Sequence, residues 1–420
     1  MDQVLIAAGL FLITYALIVA ERIHRTISAL LGGMAMILFG VVGQHQAMVA
    51  VDWNVIFLLA GMMIIANVMR ETGLFQWIAV QAVKLGKGVP IRIMVILVLV
   101  TAVSSAFLDN VTVVVLIAPV TLFVASSLGI SPVPFLIAEV MASNIGGAAT
   151  LIGDPPNILI ASAAHIDFLT FAANMMPVVV LVLAAFIVLA VFMFRRELSA
   201  EHANRLDVDS LDASQLITDR VLLRKSLIVM SATVVAFLFQ GVLHLEPATI
   251  AMTGATVLML WAHSDPHHVL RDVEWTTLFF FFGLFIVVEG VVAVGLIDLV
   301  AEWAVALTGG SLPLTTMLLL WFSALMSGII DNIPYTAAMI PIVQSLGEVM
   351  PVEPLWWALA LGADLGGNLT IVGASANVIV VSLAERSGHP ISFRQWLRYG
   401  VPVTVVSLLI STVYLWVRYL

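Results

Sequence analysis

Cysteine is absent from the 420 residues. That excludes disulfides, thiolate metal sites and capture of a substrate by a thiol, and it leaves the compartment open. Charge is scarce as well. Asp, Glu, Lys and Arg make up 10% of the chain against 62% hydrophobic residues, with a mean hydropathy of +1.12. Soluble domains run near 25% charged and about 45–50% apolar, so this is the composition of an integral membrane protein. The few charges form no basic stripe for nucleic acid. No G-x-x-x-x-G-K-[ST] loop is present, since "LGKGVP" at 85–90 lacks the hydroxyl, so the chain does not hydrolyse ATP itself. Nothing calls for a cofactor, and the ten-residue alternation of a membrane barrel is missing.

What is present is a series of apolar runs of about 20 residues, the length that crosses a bilayer as helix. The first, Val4 to Ala20, has no basic leader or small-residue cleavage site and reads as a retained span. Spans are predicted near 3–20, 26–43, 53–70, 134–165, 171–194, 222–243, 247–263, 275–292, 355–386 and 396–417, with 134–165 and 355–386 broken in the middle. Two further stretches, 91–125 and 313–347, turn at Asp-Asn and read as two spans each or as re-entrant hairpins. With the N-terminus outside, every one of the 17 lysines and arginines except Arg418 falls on the inner face. This bias places both termini outside in a cell inner (plasma) membrane.

The chain also repeats itself. "DWNVIFLLAGMMIIANVMRETGL" (52–74) resembles "EWTTLFFFFGLFIVVEGVVAVGL" (274–296) at an offset of 222, which also pairs Asp109-Asn110 with Asp331-Asn332. At an offset of 220, Asn144 meets Asp364, and Gly146-Gly147 meets Gly366-Gly367. Thr150, Gly153 and Asn157 meet Thr370, Gly373 and Asn377. Residues 1–194 therefore read as one repeat, 195–221 as a polar cytoplasmic linker and 222–420 as a second repeat. Five spans per half invert the second copy relative to the first. The predicted class is an all-α integral membrane protein, an inverted-repeat transporter of about ten transmembrane helices, two of them broken, and two re-entrant hairpins. Broken helices at matching places mark transporter sites, because bare backbone survives at membrane depth only beside protein or a water-filled cavity.

Four elements converge in this reading: the turns at 104–115 and 326–338 and the breaks "SNIGGAATLIGDPPNILI" (143–160) and "GADLGGNLTIVGASANVIV" (362–380). They supply amides, hydroxyls and small residues suited to a neutral or weakly charged solute. The substrate-binding candidates are Asn110, Thr112, Asn144, Gly146, Gly147, Thr150, Asn157, Asn332, Gly366, Gly367, Asn368, Thr370, Ser375 and Asn377. Asp109, Asp331, Asp364 and Asp154 are the proton or cation carriers, since a carboxylate at that depth costs at least ~2.5–3.5 kcal/mol and needs a reason. The bland alternative is capping, by Asp154 before Pro155-Pro156 and by Asp109 and Asp331 at the hairpin tips. Glu289 and Glu139 are lesser candidates, with structural pairing to a neighbouring helix an equal alternative for Glu289. "HSDPHH" (263–268) reads as a polar inner loop rather than a metal site.

At these residues the sequence resembles the ion transporter superfamily, in the branch that joins arsenite-efflux permeases, the melanosomal P protein and sodium/proton antiporters of the D type. The strongest element is "SNIGGAATLIGDPPNILI"; "LDNVTVVVLIAPV" (108–120) and "IDNIPYTAAMIPIV" (330–343) resemble its hairpin tips. The resemblance implies a scaffold part and a moving transport part in each half. More distant dicarboxylate members carry Ser-Asn-Thr at the tips. Asp-Asn here would repel a dicarboxylate and favours a neutral or cationic solute. The implied function is efflux of arsenite or antimonite, as the neutral trihydroxide, against protons. The resemblance also admits a soluble arsenite-stimulated ATPase on the inner loops and, by analogy alone, a homodimer. Two rivals stand within the branch, a sodium/proton antiporter and an anion transporter of the P-protein type. An intramembrane aspartyl protease using Asp109 and Asp331 fits poorly, because duplication already explains the pair and neither lies in Gly-x-Gly-Asp.

Overall fold

A computed structural model describes residues 2–20, 22–198 and 216–420. Among them the chain is helical throughout, and the first half is matched element by element in the second. Helix α1 (Asp2–Ala20) is followed by α2 (Arg25–Leu38), α3 (Gln44–Val49), α4 (Trp53–Arg70) and α5 (Leu74–Leu85). The first hairpin is α6 (Pro90–Ser105) and α7 (Asn110–Leu128), the broken helix is α8 (Val133–Gly147) and α9 (Pro155–Ala164), and α10 (Phe168–Phe194) closes the half. The second half runs through α11 (Arg220–Leu238), α12 (Gln240–Leu243), α13 (Pro247–Ala262), α14 (Pro266–Arg271), α15 (Trp275–Ala293) and α16 (Leu296–Thr308). It ends with the hairpin α17 (Leu312–Ser327) and α18 (Asn332–Leu346), the broken helix α19 (Glu353–Gly366) and α20 (Ser375–Arg386), and α21 (Phe393–Tyr419).

Seven helices, α1, α4, α7, α10, α11, α15 and α21, are long and apolar enough to cross a membrane, and α16 with α17 passes as one pair bent by 116°. Others fall short. The predicted span 26–43 is helical only over the 14 residues of α2, because the chain turns at Gly40 with φ +73° before α3. At about 1.5 Å per residue α2 covers roughly 21 Å, less than the roughly 30 Å hydrocarbon core. Likewise 222–243 divides at Phe239 into α11 and α12. The amphipathic helices α5 and α16 were not among the predicted spans; they stand at equivalent places in the two halves. Of the polar linker, residues 199–215 lie outside the described residues.

Two kinds of packing divide the molecule. α2 lies on α15 and α13 lies on α4, each pair at a point where glycine meets alanine. A side chain at Gly283 would stand 2.5 Å from the Ala29 backbone, and one at Gly61 would stand 2.7 Å from that of Ala251. The two contacts are equivalent across the repeat. In lipid, where apolar surface gains nothing by leaving its solvent, such close backbone approach is what holds helices together. Elsewhere, α6 packs on α8 and α17 on α19, with Gly146 against the Ala102 backbone and Gly366 against that of Ala324. Both hairpins are thus fastened to the broken helices, and α9 packs on α18 as α20 does on α7.

Gly61→Ala and Gly283→Ala are expected to cost about 1–3 kcal/mol each by overpacking. The check is a lowered unfolding temperature of the detergent-solubilised protein; an unchanged midpoint would contradict this packing.

Candidate functional site

The breaks form where local chemistry cannot continue a helix. α8 ends at Gly146-Gly147, and α9 begins with Pro155-Pro156, which lack the N–H groups that a preceding turn would bind. α19 ends at Gly366-Gly367 and has no proline after it. Each break leaves backbone carbonyls without helical partners, and one asparagine answers in each. Asn157 Nδ2 donates to the carbonyls of Gly147 and Thr150, both at 3.2 Å. Asn377 Nδ2 donates to those of Gly367 at 2.7 Å and Thr370 at 2.9 Å. Thr150 Oγ1 in turn donates to the Ala106 carbonyl, and Thr370 Oγ1 to the equivalent Gly328 carbonyl at 2.5 Å. The breaks are therefore stitched to the hairpin tips.

The two halves meet through amides and one carboxylate. Asn144 Nδ2 donates across the repeat to Asn368 Oδ1 and to Asn377 Oδ1, both at 3.0 Å. Asn110 Nδ2, from the first hairpin tip, donates to Asp154 Oδ2 at 2.8 Å and approaches Asn144 Oδ1 at 3.3 Å. Asn332, from the second tip, donates to both oxygens of Asp154 at 3.3 Å. Asp154 thus joins both hairpins. It sits at the cap position of α9, but its side chain makes no capping bond, so the capping alternative finds no support.

Asp364 has the opposite surroundings. It lies beside Asn157, whose amide protons are already given to the break carbonyls, so neither Asp364 oxygen has a well-aligned donor; Asn157 Oδ1 and Asn368 Nδ2 are also without partners. Asn144, Asn157, Asp364, Asn368 and Asn377 are all 0% exposed. The cluster is sealed, rich in unpaired acceptors, and holds no basic side chain in its hydrogen-bond network.

The other predicted residues divide. Asp109 caps α7 through the Thr112 N–H at 2.9 Å, with the Thr112 side chain beside the same carboxylate, so Thr112 serves the cap. Asp331 caps α18 through the Ile333 N–H and also accepts from Ser375 Oγ at 2.6 Å and Arg25 Nη1 at 3.1 Å. Gly146 and Gly366 are filled by neighbouring backbone and present no open surface to a solute. Glu289 accepts from Gln46 at 2.7 Å, a structural pairing with α3. Glu139 is buried and takes a hydrogen bond from Thr121 at 2.6 Å, away from the breaks.

Arg25, in sequence only one of the inner-face charges, takes a specific place in the structure. It lies over the Phe280 ring at 5.4 Å and lines a cavity of about 330 Å³ with His24, Asp331, Ser375 and Val378. The offset of 222 held the signal, for Arg25 falls opposite Pro247. A second cavity of about 560 Å³ lies at the far end of α9, among Asp52, Asn54, Ser162, His165, Gln240 and Glu246, and reaches Leu151 in the first break.

Duplicated halves, paired hairpins and meeting breaks define a multi-pass membrane transporter. The Citrate transporter family matches this chain over residues 15–362, and the chain belongs to that family. An uncharacterized transporter of Mycobacterium tuberculosis is 49% identical over 425 residues, covering 99% of both chains. The human P protein is 35% identical over 503 residues; the match takes in 99% of this chain and 60% of that longer protein. The YdaH transporter of Alcanivorax borkumensis, at 18% identity, shares the fold with a TM-score of 0.62 over 99% of this chain and 98% of its own. The resemblance to the ion transporter superfamily, in the P-protein branch, therefore holds.

Asn332→Ala removes a donor from a buried carboxylate and is expected to cost about 1–3 kcal/mol. Asp154→Asn in the same chain should restore most of that loss, read by thermal unfolding in detergent. A double variant no more stable than the single one would show that the Asn332–Asp154 contact contributes nothing.

Proposed function

We propose that this chain is a proton-coupled secondary transporter that exports a small neutral solute, arsenite or antimonite as the trihydroxide, from the break-and-tip cluster. One observation carries the reading: the sealed site offers three unpaired acceptor oxygens, two on Asp364 and one on Asn157, with no cation to meet them. Buried polar groups without partners are costly, so such a site calls for a proton or for a ligand that donates hydrogen bonds. Three hydroxyls on one centre match three acceptors. Asp364 then carries the proton, and Asp154, held between the tips by Asn110 and Asn332, couples its state to both hairpins. Asn144, Asn368, Asn377, Thr150 and Thr370 line or brace the site.

The name of the family suggests citrate. A tricarboxylate entering this cluster would meet two carboxylates, and the Arg25 guanidinium, which reaches the second hairpin tip, already serves Asp331. Charge repulsion at membrane depth argues against that solute. The second reading is a sodium/proton antiporter, supported by the same unpaired oxygens, which suit an alkali cation as well as a hydroxyl. In either case the basic loops belong on the inner face of the plasma membrane, with both termini outside. A soluble ATPase could dock only on those inner loops.

In cells stripped of their own efflux system, the wild-type chain should lower arsenite accumulation. Asp364→Asn and Asp154→Asn should raise it to the level of cells without the protein, whereas Asp109→Asn should keep most activity, since asparagine also caps helices. Equal exclusion by all variants would remove the carrier assignment. No arsenite exclusion together with sodium-dependent proton flux in proteoliposomes would establish the antiporter instead.

A further inference from the structure

The two halves carry the same pair of groups at the boundary between the two packing units, and only one pair is joined. Asp52 precedes α4 and Glu274 precedes α15, at an offset of 222; Ser162 on α9 and Ser382 on α20 correspond at an offset of 220. Asp52 caps α4 through one oxygen, bonding the N–H groups of Asn54 and Val55, and accepts from Ser162 Oγ at 2.5 Å through the other. Glu274 makes no capping bond, is exposed, and receives only the Thr277 hydroxyl, at 3.2 Å. Among the described residues no hydrogen bond joins Glu274 to Ser382.

The walls of the cavities at the two ends also draw on different stretches of the broken helices. At the Asp52 end, α9 contributes Ile158, Ala161 and Ser162 to the wall. At the other end, α20 contributes Ser375, Val378 and Ile379. By the repeat these correspond to Pro155, Ile158 and Leu159. The first end of the scaffold is thus fastened to α9 near its C-terminal end, at Ser162, and the second to α20 at its first residue, Ser375, through Arg25. Arg25 holds that register by reaching from α2 to Asp331 and Ser375, and Pro247 at the equivalent place has no side-chain donor. Because the two pairs are equivalent by the repeat, a shift of the hairpin-and-break unit that joined Ser382 to Glu274 would carry Ser162 away from Asp52. One-turn displacements of packed helices are an established kind of two-state transition.

We infer that Asp52–Ser162 and Glu274–Ser382 are alternate contacts of one transport cycle, the first made in the register seen here and the second in its opposite, with Arg25 a positioning residue for the first. The inference rests on the chain being a transporter that alternates between two registers, and it holds whatever the solute.

The absence of native cysteine makes the test direct. In the full chain in membranes, Asp52→Cys with Ser162→Cys and, separately, Glu274→Cys with Ser382→Cys are treated with a short bifunctional methanethiosulfonate. Both pairs should cross-link, the second more slowly. Adding Ser162→Ala or Arg25→Gln to the second pair should speed its cross-linking roughly tenfold, the effect of losing one hydrogen bond to a charged group. Failure of either pair to cross-link, or an unchanged rate with Ser162→Ala, would overturn the inference. Because this readout needs no solute, a failed arsenite assay alongside exchanging cross-links would condemn the solute and not the contacts.

Discussion

An interrupted helix inside a bilayer has to satisfy its own freed backbone, because lipid supplies no hydrogen bonds. Asn157 and Asn377 meet this constraint in the same way, each spending both protons of one amide on two carbonyls of its break. The consequence reaches the chemistry of the site. Once those donors are used, what remains facing the centre is mostly acceptor: Asn157 Oδ1, the two oxygens of Asp364, and Asn377 Oδ1, which takes its hydrogen bond from Asn144 across the repeat, against one free donor, Asn368 Nδ2. The need to brace the breaks and the acceptor-rich polarity of the site have one cause.

The duplication supplies the frame, and the departures from it supply the specialisation. Asn144 stands where the other copy has Asp364, Asp154 where it has Ala374, and Arg25 where it has Pro247. Each half therefore contributes one core carboxylate at a non-equivalent place. One of these is held by donors from both hairpins, and the other is left without any. A perfectly symmetrical pair of copies would give two identical sites and two identical boundary contacts; this chain has neither.

Much of this was legible beforehand. Glycine pairs and Pro155-Pro156 announced the breaks, and Asp-Asn announced the hairpin turns, because these residues alter backbone geometry whatever surrounds them. Asn110, Asn144, Asn157, Asn332, Asn368 and Asn377 were all drawn from the pattern and all meet in the structure. Other readings failed for identifiable reasons. The run 26–43 is apolar throughout, so hydropathy could not see the turn at Gly40. The helices α5 and α16 are too short and too amphipathic to register as spans. The capping alternative for Asp154 rests on Pro155-Pro156 alone, and the side chain instead turns to Asn110 and Asn332, partners that lie 44 and 178 residues away.

Composition, the repeat and the breaks by themselves determined a membrane-embedded, twofold-related helical transporter, because hydrophobic length and backbone-breaking residues act locally. Which carboxylate is braced and which is left bare, and which of two matched acid–serine pairs is joined, only the tertiary structure decided. Those outcomes depend on the register of one packed unit against another, and register is set by contacts between residues far apart in the chain.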